Sequence, residues 1–185
     1  MYMRIIGSNL LFVIALGWLM LSPLAYSQEL QFPVITGYGG VAPLPGAISV
    51  IDTTKPQLIV AELVSAANAA DQTHQYLNMI ARWVNSFSYS GLASDRLHIV
   101  VVIHGEAAYS LLNDAAYRAK YGANNPNTEL IQKLSDAGVE LLFCGQTLSI
   151  RGLKKEQIAP QCRFVLSMIN ALVPYQLRGY AYVKL

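Results

Sequence analysis

The sequence predicts an α/β fold of three layers, α/β/α, around a mostly parallel sheet of about five strands. Two observations lead there. From residue 57 onward, short apolar runs of strand length alternate with segments of helical spacing, the order that gives a layered α/β domain with a parallel sheet. The run Leu97-His-Ile-Val-Val-Val-Ile-His is nearly continuous in Val and Ile, as expected for a central strand buried on both faces.

In chain order, the first 27 residues have three zones: a short start with the single charge of Arg4, an apolar run from Leu10 to Leu21, and an exit at Ala25-Tyr26-Ser27. Small residues at the two positions read by signal peptidase predict a cleavable signal peptide over 1–27, with the mature chain starting at Gln28. The apolar run is shorter than the roughly 20 residues of a bilayer span. A periplasmic or secreted protein with no membrane attachment after cleavage is therefore expected. Residues 28–56 are rich in Pro and Gly but also carry Phe32, Val34, Ile35, Tyr38, Val41 and Leu44. Such a segment reads as a docked N-terminal arm rather than a free linker.

The single domain expected over 57–185 starts with the strand Gln57–Val64. Asp71 to Phe87 follows as an amphipathic helix through Tyr76, Leu77, Ile80, Val84 and Phe87, then the central strand. Glu106 to Tyr121 is helical in composition and stops at Gly122. Asn125-Pro126 then reads as an N-cap and first helical residue of a helix ending at Gly138. Val139–Cys144 is a third strand and Gln146–Gln157 a loop with room for one helical turn. Cys162–Leu166 is a fourth strand, Ser167–Leu177 a helix, and Tyr180–Lys184 the last strand.

The formal net charge is +2, and the basic residues are scattered, which argues against a nucleic-acid or anionic-membrane partner. The three histidines, His74, His98 and His104, and two cysteines show no metal-ligand spacing, so neither a metal nor a cofactor is expected. No Gly-x-Ser-x-Gly elbow supports a hydrolase. Ligands of parallel sheets bind beyond the carboxyl ends of the strands, and two strands finish there in a reactive residue followed by glycine: His104-Gly105 and Cys144-Gly145. A strand-end thiol facing free backbone N–H groups is suited to nucleophilic or persulfide chemistry; the alternative for Cys144 is a small buried hydrophobe. His104 could instead be a core histidine satisfying a loop carbonyl. Arg151 could stabilise a sulfur anion or be a solvated charge. Gly105, Gly145 and Gln146 are expected to line the binding edge together with Asn125, which also suits a helix cap. Cys162 opens its strand at the opposite end from Cys144, which speaks against a disulfide.

The strand ending in His104-Gly105, the stretch Asn113–Gly122, Asn125-Pro126-Asn127, and Gly138-Val-Glu-Leu-Leu-Phe-Cys144-Gly-Gln-Thr-Leu148 together resemble the exported branch of the DsrE/DsrF-like family. The similarity runs from about Pro33 to the C-terminus and includes Gly37-Tyr38-Gly39-Gly40 and Arg151-Gly152. The resemblance implies a five-stranded parallel sheet, homo-oligomers, and, as in cytoplasmic members, a strand-end cysteine that carries sulfur as a persulfide between partners. Cys144 matches that position; His104 and Arg151 match recurring ones. Two functions stay open: a sulfur carrier of sulfurtransferase-like chemistry or thiol-redox site, with a small sulfur compound or protein as donor and acceptor, and a non-catalytic small-ligand-binding or assembly module.

Overall fold

The computed structural model describes residues 29–185; the signal expected over 1–27 and its cleavage before Gln28 lie outside them. Five strands form one sheet: β1 (Gln57–Leu63), β2 (Leu97–Ile103), β3 (Glu140–Cys144), β4 (Cys162–Val165) and β5 (Ala181–Lys184). Their order is β4-β3-β2-β1-β5, and every pairing is parallel. The Val/Ile run of β2 occupies the centre, with strands on either side and both faces covered.

Alternation divides the sheet into two cores. Ala61, Leu63, Val101, Ile103, Leu141 and Phe143 face the larger one, under α1 (Gln75–Tyr89), α2 (Asp114–Tyr121) and α3 (Thr128–Asp136). Val60, Val100, Val102 and Leu142 face the smaller one, covered by Ala171 and Leu172 of α5 (Ile169–Leu177). Each large side chain so buried contributes about 1.5–3 kcal/mol. One helix covers less than three do, and α5 leaves Ile169, Val173 and Leu177 exposed at 55, 43 and 83%.

The arm docks through its first half. Gln31 and Val41 pair in a short antiparallel bridge, and Ile35 is buried in the larger core. Asn85 of α1, itself fully buried, accepts from the backbone N–H groups of Val34 and Ile35 and donates to the carbonyls of Ile35, Tyr38 and Gly39. Its second half lies open, with Ile48 and Val50 exposed.

Two local expectations are corrected. The helix expected over 106–121 is two pieces, a 3-10 segment over Gly105–Leu111 and α2. Asn113 interrupts it, because its side chain caps α2 at Ala116 N–H while its own N–H donates to Gln157 O. α3 begins at Thr128, two residues beyond Pro126: the Asn125 Oδ1 accepts from Asn127 N–H, which closes a turn where the first helical turn was expected. The helical turn for which the loop over 146–157 had room is a short helix that starts one residue earlier, α4 (Gly145–Ile150). Among the described residues, no helix is long and apolar enough to cross a membrane.

Candidate functional site

Strand register brings the two strand-end residues together. Ile103 pairs with Phe143 and both point into the larger core. The next residues, His104 and Cys144, are also extended, so they occupy neighbouring ladder positions with their side chains on the opposite face, the one shared with Val102 and Leu142. Gly145 must be glycine: a Cβ there would stand 2.9 Å from the Val165 carbonyl oxygen. Gly105 has φ +60°, and a Cβ would meet Val64 Cγ2 at 2.8 Å. The chain therefore turns sharply after each reactive residue.

His104 is tied to a carboxylate, not to a loop carbonyl. Its Nε2 lies 2.8 Å from Oε1 of Glu62, which is 5% exposed, and Tyr182 of β5 donates its hydroxyl to the other oxygen, Oε2. Burial pushes the Glu62 carboxyl up, but the hydrogen bonds from Tyr182 and His104 and the charges of His104 and Lys184 outweigh it and hold the group below the ordinary Glu value. The Tyr182 hydroxyl is pushed up to about 12, first by its bond to Glu62 and then by burial. At neutral pH Tyr182 thus keeps its proton and Glu62 is ionised. An ionised carboxylate only accepts, so the His104 Nε2 carries a hydrogen, and in the neutral form of the ring Nδ1 bears the lone pair. The histidine that does satisfy a loop carbonyl is His74, bonded to Ser65 O at 2.9 Å and capping α1 through Nδ1.

Cys144 is 2% exposed, and both cysteines are free. Cys162 pairs with Leu141, three ladder positions from Cys144, and packs in the larger core, where burial pushes its thiol up to about 12. No cluster of His, Cys, Asp and Glu among the described residues is arranged to hold a metal ion.

A protein-family model, that of the DsrE/DsrF-like family, matches residues 52–185, the whole sheet and all five helices. The chain belongs to the DsrE/DsrF-like family. The arm as far as Ile51 lies outside the matched segment. Two solved structures are similar to this DsrE-like chain. The protein of unknown function MTH1491 from Methanobacterium thermoautotrophicum is 16% identical, with 69% of this chain and 99% of that one covered and a TM-score of 0.47. The ychN protein from E. coli is 12% identical, with 70% and 99% covered and a TM-score of 0.48. A search of curated proteins found no match.

The other residues expected at the site of this DsrE-like domain separate into three places. Gly145 and Gln146 line a cleft of about 300 Å³ beside β4, with Lys155, Phe164 and Leu166. Arg151 pairs with Glu106 and lies 5.7 Å from the Tyr109 ring; Tyr109 packs against the larger core, across the sheet from the Glu62–His104 pair. Asn125 is 4% exposed, and its side chain holds Ser110 O, Leu112 O and the Asn127 backbone, a loop clamp turned inward. Glu62 and Tyr182 went unnoticed in the sequence. The one available signal was a Glu in an otherwise apolar strand, Leu58-Ile-Val-Ala-Glu62-Leu63, since a charge there needs a partner.

Proposed function

We propose that this DsrE-like protein is an exported sulfur carrier that holds a sulfane sulfur on Cys144 as a persulfide. The observation that supports this reading is the juxtaposition of Cys144 and His104 at neighbouring strand ends on one face. With thiosulfate as donor, the Cys144 thiolate attacks the outer sulfur, a new S–S bond forms, the bond to the sulfonate breaks, and sulfite leaves with the electron pair. Charge and oxidation states balance without a further redox partner. Mass spectrometry after thiosulfate or polysulfide treatment is expected to find one added sulfur atom on Cys144 and none on Cys162. An unmodified Cys144 would leave the second reading, a non-catalytic binding module. That reading draws support from the burial of Cys144 and from a separate cavity of about 280 Å³ lined by Ala66–Ala70, Tyr109, Tyr117 and Tyr121.

Export places the carrier in the periplasm or outside the cell, so its sulfur donor and acceptor are small sulfur compounds or exported proteins rather than cytosolic ones. N-terminal sequencing of the exported form should start at Gln28, and a start at Met1 would refute cleavage.

Assembly into a homo-oligomer is part of the same proposal. Ile169, Val173 and Leu177 form one stripe of α5, with Leu166 at 71% exposure beside it; apolar patches of a few hundred Å² seldom stay bare on soluble proteins. Light scattering of the full-length mature chain at micromolar concentration is expected to give a multiple of the monomer mass, and charged substitutions at Val173 and Leu177 to reduce it. A monomeric wild type would end this part of the proposal.

A further inference from the structure

Burying Glu62 in an apolar strand is costly unless its charge is used. Removing a carboxylate from water costs several kcal/mol after relaxation, whereas an apolar residue in β1 would meet the same packing need. The structure supplies Glu62 with two hydrogen-bond donors on two different strands: His104 at the end of β2 and Tyr182 on β5. β5 is held in place up to the chain's end, where Leu185 N–H donates to the Glu62 carbonyl. The C-terminal strand thus brings a hydroxyl to a carboxylate that already grips His104.

We infer that Glu62 and Tyr182 are positioning residues for His104, fixing its ring with Nδ1 unprotonated so that Nδ1 takes the Cys144 proton when the thiol reacts. The inference rests on the carrier reading only for the identity of the reacting thiol. Side chains on one face of neighbouring strands have Cβ atoms about 5 Å apart, a gap closed by rotation of the Cys144 side chain or by one water while Glu62 keeps the ring in place. No hydrogen bond joins them in the resting conformation described, in which the ring leans toward β1. In the step itself the Cys144 S–H bond breaks, an N–H bond forms at Nδ1, and the resulting imidazolium is held by the Glu62 carboxylate. The thiolate left behind attacks the sulfur donor, and the imidazolium returns its proton to the leaving group. Tyr182, by donating to Oε2, keeps that carboxylate oriented with Oε1 toward the ring. Lys184 on β5 adds positive charge that favours the ionised carboxylate.

The test uses the full-length mature protein and two readouts that a purely structural role would not move. Side-chain ¹⁵N NMR of the wild type is expected to find neutral His104 protonated at Nε2; protonation at Nδ1 overturns the inference, and this measurement needs no variant to fold. Iodoacetamide labelling of Cys144 at neutral pH is expected to slow by about tenfold in Glu62→Gln and in His104→Ala, the factor that one pH unit of lost charge stabilisation represents. The double variant should be no slower than His104→Ala alone, because Glu62 acts only through the ring. Additive slowing, or wild-type labelling in Glu62→Gln, overturns it. Persulfide uptake is scored separately: coupling intact with no sulfur on Cys144 refutes the carrier reading and leaves the proton-transfer assignment standing.

Discussion

Asn85→Ala is expected to lower the free energy of unfolding by about 3 kcal/mol. The residue is fully buried in α1 and serves five hydrogen bonds to the arm: two from the N–H groups of Val34 and Ile35, and three to the carbonyls of Ile35, Tyr38 and Gly39. Alanine leaves those backbone groups unpaired in a dry site unless the arm lifts away, and lifting exposes Ile35, which is 2% exposed in the larger core. Either outcome costs energy. Asn85→Asp is expected to be at least as damaging, because a carboxylate keeps the two acceptor roles but meets three carbonyls with no donor. Urea denaturation measures the effect; a loss below about 1 kcal/mol would show that the arm is not held through Asn85.

The second large effect concerns the two thiols. Iodoacetamide at neutral pH is expected to modify Cys144 well before Cys162. Exposure cannot separate them, at 2 and 7%, so the difference lies in what surrounds each sulfur. Cys162 packs into the larger core, and burial pushes its thiol from the ordinary value up to about 12. A raised thiol value means the proton is held longer as pH rises, so at neutral pH its thiolate is scarcer by roughly a thousandfold than that of an unperturbed thiol. Labelling of Cys162 should climb only as the pH approaches about 12. Cys144 ends β3 in the ladder position next to His104, outside the larger core that encloses Cys162. Tryptic mapping of labelled protein between pH 6 and 10 gives the two profiles. Equal labelling at pH 7, or Cys162 first, would end the assignment of Cys144 as the reactive thiol. Cys144→Ser is expected to abolish persulfide uptake while leaving the Cys162 profile unchanged.

Much of this was legible in the sequence, and the reasons are local. The Val/Ile run of β2 has one stable home, the middle of a parallel sheet, so strand type, burial and the alternating layers follow from periodicity alone. The strand-end placement of His104 and Cys144, each before a glycine, follows from the same pattern, as does the separation of Cys144 from Cys162. The misplaced helix boundaries fall where side chains compete with the backbone. Asn113 and Asn125 each divert hydrogen bonds into a cap or turn, and composition does not reveal which asparagine will do so.

By itself, the sequence determined the fold class, the strands and the family, because these depend on spacing along the chain. Only the tertiary structure decided which residues share the site. Glu62, His104 and Tyr182 lie on three strands and meet because β5 returns beside β1, a pairing that depends on strand order. The same folding drew Arg151 to Glu106 and turned Asn125 into its loop, since a charge or amide takes the nearest partner that spares it desolvation. Sequence spacing sets the period of each element, but the partner across the sheet is chosen by which buried groups can satisfy one another once the layers close.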